Sequence, residues 1–237
     1  MLTLEKLTYL YEHLPMRFDL RIQPGERVAV LGPSGAGKST LLSLIAGFLP
    51  AASGRLLLNG EDHTATPPAK RPVSMLFQEN NLFAHLTVAQ NIGLGLDPGL
   101  RLTEQQRQQR AHIARQVGLE EHLERLPSQL SGGQRQRAWI AMVLAQETAI
   151  MLLDEPTTWL DISHQIDLLE LLSELNREKG YTLAAVLHDL NQACRYATHL
   201  IALRDGRIVA EGAPKEIVTA DLIERIYGLR CTDRKST

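Results

Sequence analysis

Short apolar runs alternate with longer amphipathic stretches along most of this 237-residue chain. Residues 2–10 and 16–22 have strand character, and Pro24-Gly25-Glu26 turns the chain into the apolar run Val28-Ala29-Val30-Leu31. A helix follows, with Leu41, Leu42, Leu44 and Ile45 on its apolar face. Ser53-Gly54 opens a strand over 55–58 that Asn59-Gly60 turns into a hairpin, and a Thr66-Pro67-Pro68 loop precedes a buried strand over 73–77. From 86 to 126 the pattern is helical and Gln/Arg-rich, with Ile113 and Val117 inward and Glu104, Arg107, Arg110 and Arg115 on a solvated face. Another apolar-periodic helix runs to Leu144. The run 149–153 then reads as a strand buried on both faces, as parallel strands do. An amphipathic helix over 162–179 ends at Gly180, a strand spans 182–187, and Asp205-Gly206 joins strands over 200–203 and 207–209. Short helices over 216–218 and 222–227 and a frayed tail over 232–237 close the chain. These elements predict an α/β fold with a mainly parallel central sheet, an antiparallel β subdomain and a small α-helical lobe over 86–145, inserted between core segments 1–85 and 146–237.

The turn after Leu31 carries the most specific chemistry. Gly32-Pro33-Ser34-Gly35-Ala36-Gly37-Lys38-Ser39-Thr40 fills the G-x-x-x-x-G-K-[ST] pattern between a strand and a helix, the context that pattern needs. Glycines let successive backbone N–H groups converge on an anion, and the helix start adds its own unpaired N–H groups and dipole. Lys38 reaches β- and γ-phosphates, and the Ser39 hydroxyl is a Mg²⁺ ligand. A second helix start, Leu130-Ser131-Gly132-Gly133-Gln134, has Ser131 as N-cap and exposed glycine N–H groups. The chain thus has two helix starts suited to phosphate, and only one has a lysine.

Other strand ends add polar groups at the edge where open α/β sheets place ligands. Asp154 and Glu155 follow the 149–153 strand; the first can hold the Mg²⁺ shell, the second can polarise an attacking water. His188 follows the strand over 182–187, within reach of a γ-phosphate or water, and Gln78 follows the strand over 73–77. Tyr9 and Tyr11, upstream of the phosphate loop, suit either base stacking or packing, and the residues alone leave both open.

Composition narrows the classes. A net charge of −2 argues against a generally basic nucleic-acid binder. Cys194 and Cys231 give neither metal-like spacing nor a disulfide framework, which makes a reducing compartment the default. The first 23 residues show no signal-peptide pattern, and the longest apolar runs, such as 41–49, fall short of the ~20 residues that span a bilayer.

Together, these motifs resemble the ATP-binding subunits of ABC transporters over nearly the whole chain. The phosphate loop alone would fit any P-loop protein; the signature Leu130-Ser131-Gly132-Gly133-Gln134, between Gln78 and the Asp154-Glu155 strand, is the diagnostic part. The resemblance implies ATP and Mg²⁺ as cofactors. It makes Gln78 the Q-loop residue that touches Mg²⁺ and the transport domain, Asp161 the D-loop residue, His188 the switch histidine and Tyr11 the adenine-stacking aromatic, with Tyr9 as second choice. It further implies a homodimer in which residues 131–134 of one subunit cover ATP held by the other, integral-membrane permease partners, an indirect link to a periplasmic solute-binding protein, no nucleic acid, and a peripheral place on the cytoplasmic face of the inner membrane.

Within that family the chain reads as a mosaic. Residues 71–83 and 87–99 look like thiamine-importer ATPases, whereas 138–144, 156–161 and 188–193 look like ferric-siderophore importer ATPases. The permease-docking region of such importers lies near the Q-loop and helical lobe, in the thiamine-like half, which favours a thiamine-type permease over a siderophore one. A soluble ABC ATPase acting on ribosomes or DNA is the competing class. It would ordinarily fuse two cassettes, or carry a long coiled coil where only about fifty residues separate Gln78 from Ser131. A P-loop kinase would leave the signature without a purpose.

Overall fold

The computed structural model describes residues 1–77, 82–158 and 160–228, which form ten strands and eight α-helices. Strand β1 (Leu2–Tyr11) turns through Glu12 and His13 into β2 (Leu14–Ile22). Both turn residues have positive φ, 45° and 72°, and Tyr11 still pairs with Leu14. The hairpin is longer than its sequence predicts, because Glu-His lacks the Asn-Gly signal of such turns and its flanking Leu10, Tyr11 and Leu14 are exposed. Next come β3 (Arg27–Leu31), α1 (Lys38–Ala46), β4 (Ser53–Leu58), β5 (Glu61–Asp62) and β6 (Val73–Leu76).

Three helices follow without an intervening strand: α2 (Val88–Leu96), α3 (Glu104–Gln116) and α4 (Gly132–Leu144). Each begins with a reciprocal capping box, Thr87 with Gln90, Thr103 with Gln106 and Ser131 with Gln134. The chain continues through β7 (Ile150–Leu153), α5 (Ile162–Lys179), β8 (Thr182–Val186), α6 (Leu190–Tyr196), β9 (His199–Arg204), β10 (Arg207–Gly212), α7 (Pro214–Ile217) and α8 (Ala220–Tyr227). Helix α6 has no counterpart among the predicted elements; at seven residues its periodicity is too short to read, and the Asp189 side chain starts it by accepting the Gln192 N–H at 2.9 Å.

All ten strands share one sheet, in the order β5-β4-β1-β2-β10-β9-β3-β8-β7-β6. The block β9-β3-β8-β7-β6 is parallel, and β5-β4-β1-β2 is antiparallel. Strand β10 joins them, antiparallel to β9 and parallel to β2 through the single pair Arg207 and Arg17. The antiparallel part is therefore continuous with the central sheet. Two apolar layers cover the parallel block, which is why its strands lack polar alternation. Val28, Val30, Leu152 and Val186 face α1 and the antiparallel strands. Ala29, Leu31, Leu153 and Ala185 face α4 and α5 in a cluster that continues to Val88 and Ile92 of α2.

Arg71 is a buried cation that sequence reasoning passed over. Its Nη1 donates to the Leu44 and Ile45 carbonyls at 2.7 and 2.8 Å, and its Nε to the Thr66 carbonyl at 2.7 Å. It thus satisfies the carboxyl end of α1, and a Cβ on Gly47 would lie 2.6 Å from its Nε. Gln78, Cys231 and the 232–237 tail lie outside the described residues.

Candidate functional site

Parallel pairing brings Leu31, Leu76, Leu153 and Val186 to one edge of the sheet, so the segments that follow them meet there. The loop after β3 depends on its glycines. Gly32 has φ 153° and a Cβ there would lie 2.4 Å from the Leu203 carbonyl oxygen, while Gly37, at φ 98°, is the N-cap of α1. No side chain caps that helix start, so its first N–H groups remain available to an anion. Lys38 is buried and folded back on its own loop, donating to the carbonyls of Gly32 and Pro33 at 2.8 Å each. Burial pushes its ammonium below the ordinary lysine range, opposed by the carboxylates of Glu155 and Asp154.

Ser39 Oγ donates to Asp154 Oδ1 at 3.0 Å, which unites two of the three predicted Mg²⁺ ligands; the third, Gln78, lies outside the described residues. Asp154 is 6% exposed, and burial raises its carboxyl above the usual carboxylate range against the Ser39 hydrogen bond. A hydroxyl and a carboxylate oxygen are hard donors of the kind Mg²⁺ takes, so these two residues fit the ion. Glu155 sits at φ 50°, a left-handed conformation that costs a non-glycine residue of order 1 kcal/mol and collects at functional sites. Its Oε1 lies 2.8 Å from His188 Nε2, and its Oε2 accepts from Thr158 Oγ1 at 3.1 Å. Thr158 was not among the predicted residues; a threonine three positions after an acid carries no distinctive signal.

A cleft of about 920 Å³ opens over this loop. Ser34, Gly35, Gly37, Lys38, Ser39, Thr40 and Glu155 line it, together with Tyr11, Arg204 and Arg207. Tyr11 is half exposed on the cleft wall, whereas Tyr9 packs against the core beneath β1. The fold thus separates two tyrosines that the sequence left as alternatives.

Residues 131–134 do not line that cleft. Ser131 Oγ accepts from the Gln134 N–H at 3.2 Å, and Gln134 Oε1 accepts from the Ser131 N–H at 2.9 Å. Because Gln134 Oε1 is committed there, its Nε2 is the donor to His122 Nε2, 2.9 Å away. The other ring nitrogen, His122 Nδ1, is buried and has no hydrogen-bond partner among the described residues. Gln136 of the same helix donates to the Pro156 carbonyl, linking α4 to the segment after Glu155. Asp161 is the N-cap of α5, accepting the His164 N–H at 2.9 Å and pairing with His164 Nδ1 at 2.7 Å. Those two contacts, the backbone one first, hold its carboxyl below the ordinary range. Asp161 also does not line the cleft.

A family model described as ABC transporter matches residues 16–158. The chain belongs to the ABC transporter family. Among its relatives, the thiamine import ATP-binding protein ThiQ of Yersinia pseudotuberculosis serotype I is 61% identical over 218 residues, 92% of each chain. The protein of the same description from Photorhabdus laumondii is 57% identical over 231 residues, 97% of this chain and 98% of that one. A match of that length includes both sides of the signature, so the likeness to thiamine-import proteins does not stop at residue 130. Among solved structures, cbiO1 from Clostridium perfringens, part of the ABC transporter complex cbiONQ, superposes with a TM-score of 0.84 at 29% identity over 94% of this chain and 92% of that one. A dimeric post-hydrolysis state of the ATP-binding cassette MJ0796 bound to ADP and Pi gives 0.78 at 32% identity over 90% and 99%. As an ABC ATPase, the chain binds and hydrolyses ATP. No helix among the described residues is long and apolar enough to cross a membrane.

Proposed function

We propose that this ABC ATPase powers thiamine import through a separate permease. The observation that carries the solute assignment is the 61% identity to a thiamine import ATP-binding protein over 92% of both chains. The loop 32–40 would hold the triphosphate, Tyr11 would stack on the base and Glu155 would serve the γ-phosphate. Lys38 would exchange the Gly32 and Pro33 carbonyls for the β- and γ-phosphates as hydrogen-bond acceptors. Ser39 and Asp154, with Gln78, would hold Mg²⁺, which would neutralise charge on the phosphate oxygens. Glu155 orients the attacking water and accepts its proton, while His188, already 2.8 Å from Glu155, keeps the carboxylate directed at the γ-phosphate side.

The second phosphate site, residues 131–134, completes the cleft of another copy, with Asp161 at the same interface. This accounts for a phosphate-ready helix start remote from the chain's own Lys38. Hydrolysis therefore needs the homodimer, docked by the helical lobe (86–145) on permease subunits at the inner membrane, with a periplasmic solute-binding protein contacting only the permease. Purification of the tagged chain from membranes tests the solute assignment: it brings down a thiamine permease, and thiamine-loaded binding protein stimulates ATP turnover. Exclusive association with a ferric-siderophore permease would overturn the assignment.

A further inference from the structure

The first turns of α4 and α5 meet where a Cβ on Gly133 would require the His164 ring to move. A Cβ on Gly133 would lie 2.3 Å from His164 Cδ2, 2.9 Å from its Nε2 and 3.2 Å from its Cγ. A Cβ on the neighbouring Gly132 would meet nothing closer than Leu160 at 3.9 Å. Gly133 lies within regular α-helix and has no positive φ, so its backbone would accept alanine, a better helix former by about 1 kcal/mol. The His164 ring is what a Cβ at position 133 would displace.

A histidine at the end of a free side chain would swing aside. His164 is held: its Nδ1 lies 2.8 and 2.7 Å from the two oxygens of Asp161, and that carboxylate is itself fixed by accepting the His164 N–H. Two further contacts stitch α4 to the same region, Gln136 to the Pro156 carbonyl and Arg137 Nη2 to Asp167 Oδ2 at 4.0 Å. We propose that His164, oriented by Asp161, is a positioning residue for the signature: its ring sets the depth and direction of the α4 start against α5. Asp161 thereby acts on residues 131–134 of its own chain in addition to its place at the dimer interface. This rests on the reading of residues 131–134 as the second phosphate site.

A four-member cycle of the unmodified full chain, Gly133→Ala, His164→Ala and the double variant tests it, with kcat and KM for ATP measured on each. A displacement of about 1 Å in a positioned group lowers turnover about 10²-fold, so Gly133→Ala loses roughly that in kcat with little change in KM. In the His164→Ala background the same alanine has room, so it costs clearly less in kcat there than in the unmodified chain and the two losses combine to less than their product. Losses that multiply in the double variant would overturn the proposal, because Gly133 would then be required for a reason unrelated to the ring. In parallel, ¹⁵N imidazole spectra of the full chain read His164 directly. Gly133→Ala and Asp161→Asn shift its signals and Gly132→Ala does not; unchanged signals in the first two would also overturn it. Neither measurement depends on the solute, so a permease other than thiamine's leaves the proposal standing. If the unmodified chain hydrolyses no ATP, the parent reading fails, and the spectra still decide whether the ring is seated.

Discussion

Asp154→Asn separates the stability of this fold from its chemistry. The wild-type carboxylate is 6% exposed, and burial outweighs the Ser39 hydrogen bond, so its proton is held more tightly in the folded chain than in the unfolded one. For an acid whose folded-state pKa is raised, the native state is penalised wherever the group is ionised, and the penalty disappears as pH falls through the folded-state pKa. Asparagine has the same shape, keeps an oxygen for Ser39 and carries no charge. Relief of strain of this kind at functional sites commonly adds about 0.5–2 kcal/mol, and in a chain this long each kcal/mol raises Tm by about 2–4 °C. Without nucleotide or metal at neutral pH, Asp154→Asn therefore melts a few degrees above wild type, and the gap narrows on acidification. Adding ATP and Mg²⁺ reverses the order: a ligand at 100 times its Kd contributes about 2.7 kcal/mol, and the variant loses most of the metal-dependent share. Differential scanning calorimetry across pH, with and without ATP and Mg²⁺, measures both effects. An apo Asp154→Asn protein that melts below wild type would refute the reasoning, since the buried charge would then be a net stabiliser.

Three further outcomes follow from the same geometry. Glu155→Gln preserves shape and an acceptor for Thr158 but cannot take a proton; turnover falls about 10²–10³-fold or more while ATP binding, read by nucleotide fluorescence, stays within a fewfold. Unchanged turnover would remove Glu155 from its role. Arg71→Leu leaves the Leu44, Ile45 and Thr66 carbonyls without their donor, and each buried carbonyl left unpaired costs about 1–3 kcal/mol in urea unfolding. His122→Ala deprives Gln134 Nε2 of its acceptor and costs on the order of 1 kcal/mol; it also loosens the capping box, so kcat falls with KM for ATP nearly constant in steady-state assays.

The sequence by itself determined the chemistry that depends on neighbours along the chain. The phosphate loop and the signature with its Ser131 N-cap are local patterns whose spacing is their geometry: Ser131 and Gln134 must be three residues apart to cap one another. Continuous apolar strands such as 150–153 announced a sheet covered on both faces, because period-two alternation vanishes when both sides are buried. Tertiary structure decided what lies far apart in the chain. Ser39 meets Asp154 across 115 positions because β3 and β7 both flank β8 in a parallel register. Tyr9 and Tyr11, two positions apart, share one face of β1; Tyr11 reached the cleft because it sits at the exposed hairpin end opposite Leu14, and Tyr9 the core because it lies further into the sheet opposite Met16. Likewise, Gly133 looked like a residue chosen for its exposed N–H. The space it leaves is taken by His164, thirty-one positions later, a contact fixed only when the α4 and α5 starts are packed together.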